Sequence, residues 1–183
     1  METGKLSVSI SVQTAGQLGL RKKRQKLERE EFLRSLRAEG KSVREARLEL
    51  ARVRSDWWPT VDALVAGCLR RRLAEPDLAG PWEPLTEEEE LGMTLSGRWP
   101  GPAPHTPVRC SYLIPSSLIT ELRTAAWRVS SAPLAALDSQ GLVYDGHWSD
   151  SQLAERERLA DLIHSPSRIV RQGLERYART EEG

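Results

Sequence analysis

The stretch VRCSYLIPSSLITEL, residues 108–122, confines the fold more than any other part of the chain. Seven residues alternate in character, Pro115 stops them, and the serines at 116 and 117 open an amphipathic helical pattern. An arm this short is stable only when paired with another strand. Residues 5–12, KLSVSISV, also alternate: Leu6, Val8, Ile10 and Val12 fall on one face, Lys5, Ser7, Ser9 and Ser11 on the other. That period of two predicts a half-buried strand packed against the body.

Helical spacing dominates elsewhere. The glycines of GQLGL, residues 16–20, break the alternation and weaken any early helix. The basic cluster RKKRQK then opens a long helix in which Leu27, Phe32, Leu33 and Leu36 recur, and Gly40 ends it. Ser42 and Glu45 form a capping box ahead of a stripe of Val43, Ala46, Leu50 and Val53. Pro59 suits the first position of a third helix, lined by Val61, Leu64, Val65, Cys68, Leu69 and Leu73. Beyond the second strand the spacing predicts a helix over 116–129, with Leu118, Leu122, Ala125 and Ala126 inward. Residues 130–149 are turn-rich with a short strand at GLVYDG, and a helix begins near Asp150. Ser165 and Pro166 restart the chain as a last helix. The expected class is mainly α with one or two short β-strands (α+β).

Residues 76–107 hold most of the eleven prolines and the run EEEE, the composition of a linker with one short helix at 86–91. Its Trp82 and Trp99 predict partial order. The chain thus divides into a basic three-helix segment (1–75), an acidic linker (76–107) and a C-terminal module (108–183). The first carries 17 Lys/Arg against 10 Asp/Glu, the linker one against six, and the module nine against 10. A basic N-terminal part of this kind suits nucleic acid.

Other classes find little support. No apolar run approaches the roughly 18 residues of a membrane span, and the N-terminus lacks the layout of a signal peptide. Cys68 and Cys110 fit no metal or redox spacing and read as buried thiols. His105, His147 and His164 are isolated, and neither a phosphate-cradling glycine loop nor a nucleophile elbow occurs. No catalytic residue, metal or cofactor is expected.

The segments RCSYLIPSSLITELRTAAWRVS and SPSRIVRQGLERYA together resemble the ribbon-helix-helix family of bacterial, phage and plasmid DNA-binding proteins. The resemblance covers residues 108–129 and 165–178, with an atypical insertion between them. It implies a strand paired antiparallel with the same strand of a second subunit, a homodimer, and a ribbon lying in the major groove. Arg109, Ser111 and Leu113 would then face DNA, and Cys110, Tyr112 and Ile114 the dimer core. KLSVSIS is similar to that ribbon too, with Lys5, Ser7 and Ser9 outward, but it lacks the proline stop. Ser165-Pro166-Ser167 leaves free N–H groups at the positive end of a helix dipole, a phosphate anchor that Arg168 and Arg171 can assist.

A second, weaker resemblance lies at 30–60. FLRSLRAEGKSVREARLELARVRSDWW is similar to the helix-turn-helix of transposase-like and small-terminase-like proteins. It implies base-facing residues near Arg54 to Thr60. Arg44, Arg47, Arg52, Arg54 and the run at 70–72 would grip phosphates, while Trp57 and Trp58 read as core.

The expectation is a cytoplasmic, nucleoid-associated, sequence-specific DNA-binding protein: a transcriptional repressor, or a partition or mobilisation accessory factor. The alternative is a protein-interaction module, an antitoxin or adaptor, docking its partner through Trp82 and Trp99 or through residues 130–164. The acidic residues 87–90 could also cover a basic surface in cis.

Overall fold

Ser11 closes the first strand and caps the first helix. The computed structural model describes residues 2–53, 58, 60–95, 106–143 and 146–179. Among them, two strands and seven helices follow in order. Strand β1 is Thr3–Ser11, and α1 (Val12–Ala38) begins at the next residue, where the Ser11 hydroxyl accepts the Thr14 N–H at 3.0 Å. The helix therefore runs through Gly16 and Gly19, which were expected to hold it off. A glycine inside a helix costs about 1 kcal/mol. Here the cap fixes the start, and burial of Thr14 and Leu18 between and beside the glycines offsets the cost.

Gly40 ends α1 in the left-handed region at φ 87°, with the Lys41 N–H returning to the Leu36 carbonyl at 3.1 Å. Helix α2 is Val43–Val53. Its capping box forms as expected: the Ser42 N–H donates to Glu45, and the Glu45 N–H to the Ser42 hydroxyl. Helix α3 (Val61–Leu73) starts at the cap Thr60 and buries Leu64 through Leu69 together with Arg72 and Leu73. Trp58 lies over Gly67, where any side chain would collide with the indole. It packs on the core as expected, whereas Trp57 lies outside the described residues.

The described part of the acidic segment, as far as Leu95, is pinned to the body. Helix α4 (Glu87–Leu95) carries its own capping box between Thr86 and Glu89, and Met93 is buried. Strand β2 is Pro107–Pro115, and α5 (Ser116–Ser139) follows without a gap. Arg128 of α5 pairs with Glu89 and donates to the Pro84 carbonyl at 3.0 Å. Glu89 is thus occupied by an arginine of α5.

Helix α5 continues ten residues beyond the expected end at 129 and passes through Pro133, so the turn-rich reading of 130–149 is corrected. Leu134, Ala136 and Leu137 hold it helical by packing with Leu142, Trp148, Leu159 and Ile163 into a small second core. The predicted strand at GLVYDG is replaced by a helix stop: Gly141 has φ 65° and the Leu142 N–H bonds the Leu137 carbonyl at 2.8 Å. Tyr144 and Asp145 lie outside the described residues. Helices α6 (Asp150–Asp161) and α7 (Pro166–Arg179) complete the order.

β1 and β2 pair with each other, antiparallel, from Thr3 opposite Pro115 to Ser11 opposite Pro107. The partner expected from a second chain is therefore supplied by the first strand of the same chain. The two segments read as separate from sequence contribute to one core. Val8, Ile10, Leu18, Leu64 and Leu69 pack with Tyr112, Ile114, Leu122, Ile169 and Leu174.

Arg72 joins these segments from inside, at 2% exposure. Its guanidinium forks onto Asp77 at 2.6 and 2.7 Å, reaches Glu75 at 2.9 Å, and donates to the side-chain Oε1 of Gln172 on α7 at 3.0 Å. It belongs to the interior and does not grip phosphate. The Arg72 hydrogen bonds hold the Asp77 carboxyl below its ordinary 3.8.

A depressed carboxyl stabilises the fold above its ordinary value, and that contribution disappears as pH falls through the folded-state value. Asp77 is half-exposed and Arg72 keeps two other acceptors, so Asp77→Asn should cost about 2 kcal/mol at neutral pH, below the range for fully buried pairs. Urea unfolding should show the wild-type and variant stabilities converging as pH falls below the ordinary carboxylate value of 3.8. Parallel curves across that window would remove Asp77 from the account.

Candidate nucleic-acid interface

Alternation along the two strands sorts their side chains. Leu6, Val8 and Ile10 of β1 and Cys110, Tyr112 and Ile114 of β2 turn inward onto the core. Burial, with Cys110 beside it, pushes the Tyr112 hydroxyl well above its ordinary 10.0, which keeps it neutral. The inward set matches the faces read from sequence, but the core it covers belongs to one chain. The Cys68 thiol, on the buried face of α3, is pushed up to about 11 by burial.

The outward face consists of three cross-strand pairs, Lys5 opposite Leu113, Ser7 opposite Ser111 and Ser9 opposite Arg109. Lys5, Arg109 and Ser111 are exposed, and Leu113 is 58% exposed. The Ser7 and Ser111 hydroxyls hydrogen-bond across the middle at 2.9 Å. The Leu113 N–H donates to Asp62 of α3 at 3.2 Å and so points away from β1. By the alternation of an antiparallel ladder, Lys5–Leu113, Ser7–Ser111 and Ser9–Arg109 are all non-hydrogen-bonded pairs, whose side chains stand closest.

Both ends of the ladder are fastened by the helices that follow. The first residue of α1, Val12, donates its N–H to the Thr106 carbonyl at 3.3 Å, and the first of α5, Ser116, donates to Glu2 at 3.1 Å. Helix α3 packs beneath β2, α7 beneath β1, and the two helices cross against each other. Gly173 of α7 sits at that crossing, where an added methyl group would lie 3.2 Å from the Cys68 carbonyl oxygen.

The other residues expected to touch DNA are distributed differently. Ser165 accepts the Arg168 N–H on its hydroxyl at 3.2 Å, which makes it the cap of α7, and Ser167 is half-buried in the first turn. Nη1 of Arg168 donates to the carbonyls of Asp161 and Ile163, each at 2.9 Å, so this arginine closes the C-terminal end of α6. Arg171 is half-buried, and desolvation holds its pKa below its ordinary value. Arg44, Arg47 and Arg52 are exposed on α2, which packs on α1. Arg54 lies outside the described residues, as do most of those expected to read bases near it. Thr60 is occupied as the α3 cap, receiving the Ala63 N–H at 3.1 Å, and α3 itself is largely core.

Lys5, Ser7 and Ser9 thus join Arg109, Ser111 and Leu113 on one surface. The signal was available: two nine-residue strands each lead directly into a helix. Thr60 is followed by Leu64, Val65, Leu69 and Leu73, just as Ser165 is followed by Ile169, Val170, Leu174 and Ala178. Asp62 gave no comparable signal. Among the described residues, no cluster of His, Cys, Asp and Glu could hold a metal ion, and no helix is long and apolar enough to cross a membrane. Comparison with protein-family models, curated proteins and solved structures returns no match to this chain.

The pairing is open to a direct chemical test in a Cys110→Ser background. Ser7→Cys with Ser111→Cys should oxidise to a link within one chain, because the pair is directly opposed and its oxygens are 2.9 Å apart. Non-reducing electrophoresis should show monomer mass for that variant, and no linked dimer for Ser111→Cys alone. A dimer from the single variant would mean that β2 pairs with its twin.

Proposed function

We propose that the outward face of the β1–β2 ribbon binds duplex DNA sequence-specifically, as a non-catalytic regulator of the ribbon-helix-helix kind. The observation that carries the proposal is the exposed two-stranded face, basic and hydroxyl-bearing on both strands, held by helices on its other side. The major groove is about 12 Å wide and admits such a ribbon. Arg109 has the planar fork that matches guanine O6 and N7, the hydroxyls of Ser7 and Ser111 can donate or accept, and Leu113 offers an apolar contact to a thymine methyl. Lys5 adds a point charge for a phosphate or a guanine edge. Ser165 and Ser167 stand at the start of α7, the helix beneath β1, and can orient the ribbon on the backbone without reading sequence.

On this reading the protein acts by occupancy. A bound ribbon blocks transcription or seeds a partition or mobilisation complex at its site. One chain completes the ribbon, so a homodimer is not needed to form the reading surface.

Fluorescence anisotropy tests this with a duplex enriched from a random-core library, at several salt concentrations and with excess unrelated DNA. Saturable binding should survive competitor and weaken linearly in log salt. Arg109→Ala with Ser111→Ala should lower specific affinity by roughly 100-fold while leaving the unfolding midpoint unchanged, since both side chains are exposed. Binding that vanishes with competitor, or that ignores the double substitution, would turn attention to a protein partner.

A further inference from the structure

A shift of 104 residues carries Ser7 onto Ser111, the strand β1 onto β2, and the start of α1 onto the start of α5. The antiparallel register centres on that serine pair, so an approximate twofold axis passes between the two hydroxyls. The same operation exchanges the two end fastenings, Val12 to Thr106 and Ser116 to Glu2. It also exchanges α3 beneath β2 with α7 beneath β1. In an oligomer of identical chains such an axis would make both halves of the reading surface the same. Within one chain it does not.

On the outward face the axis relates Lys5 to Arg109 and Ser9 to Leu113. One end of the ribbon therefore bears Lys5 and Leu113, with the Asp62 carboxylate bonded to the Leu113 N–H. The opposite end bears Arg109 and Ser9, and the counterpart of Asp62 in α7 is Ser167. The centre is alike on both sides, and each half has a cation. The third position is a large apolar side chain in one half and a small hydroxyl in the other.

We infer that a single chain reads an imperfect inverted repeat in duplex DNA, in a fixed orientation, with the Leu113 end on a half-site bearing a thymine that the Ser9 end does not require. The inference rests on the DNA-binding reading above and adds the stoichiometry and asymmetry of the site. Chemistry supports the direction: a leucine meets the thymine methyl, a serine accepts any base edge, and an arginine fork selects guanine more sharply than a lysine. A carboxylate beside Leu113 also disfavours close phosphate approach at that end, whereas the Ser9 end carries no such charge from α7's first turn.

Random-core duplex selection with sequencing, run on the full chain as wild type, Leu113→Ser and Ser9→Leu, decides the matter. Both positions lie on the outward face of the ribbon, so the variants should fold, as unfolding curves will report. The wild-type consensus should break dyad symmetry, with thymine favoured about tenfold on one side only at the position facing Leu113. Leu113→Ser should lose that preference, and Ser9→Leu should acquire it on both sides. Sedimentation of the minimal complex should give one chain per duplex. A dyad-symmetric wild-type consensus, two chains per minimal duplex, or a thymine preference indifferent to both substitutions would overturn the inference while leaving DNA binding in place. Failure of all three folded proteins to enrich any sequence would remove both.

Discussion

The fold depends on a pairing between strands about a hundred residues apart. A two-stranded ribbon is marginal in water by itself, so its inward face has to be covered. Leu6, Val8, Ile10, Cys110, Tyr112 and Ile114 form that face, and the helices beneath it supply Leu64, Leu69, Leu122, Ile169 and Leu174. Each half of the chain contributes one strand, one long helix behind it and one short helix at the central crossing. Neither half carries the whole core, and the described part of the acidic segment between them is fastened to it. The segment joins two parts of a single packed unit, and Arg72 at Asp77 and Arg128 at Pro84 and Glu89 hold its described part.

Arg72 shows how such a joint is fixed. Desolvating a guanidinium costs several kcal/mol, and a buried ion pair only roughly offsets this, so the set adds little net stability. Its geometry is demanding, however. A planar fork that must meet Asp77 on one side and Gln172 on the other tolerates only one placement of α3, the following turn and α7. Gly173 permits the close crossing, and the arginine specifies where along the two helices it happens.

The local elements were legible in the sequence because local rules decide them. Both strands follow from alternation, and the caps at Ser42 and Ser165 follow from a short side chain placed before an apolar repeat. The early start of α1 was not legible. Two glycines argue against a helix locally, and the opposing influence, a cap at the end of a strand already fixed in the sheet, is tertiary. Extension of α5 through Pro133 has the same origin, since only the second core justifies it. The candidate surface was half legible. Arg109, Ser111 and Leu113 could be placed on one face from Pro115 alone, but alternation says nothing about which strand lies alongside. The bonds of Arg168 were not legible for a related reason: a basic residue in the first turn of a helix looks free until a neighbouring helix ends beside it.

Pairing within one chain has a further consequence for the ribbon's edges. An unpaired edge of a nine-residue strand is a template for another strand, and proteins that stay apart block such edges. Here the Leu113 amide, which points off the edge of β2, is already bonded to Asp62. A second copy approaching along that edge would have to displace a carboxylate from an amide, exchanging a charge-assisted hydrogen bond for a neutral one. The face of the ribbon has no such cover: Lys5, Arg109, Ser111 and Leu113 stand exposed above a core that would be complete without them. With that one amide covered and the face open, the partner proposed above is one that approaches face-on and offers polar edges and phosphates rather than backbone. Duplex DNA has that shape and that chemistry, which is the ground on which it is proposed as the partner.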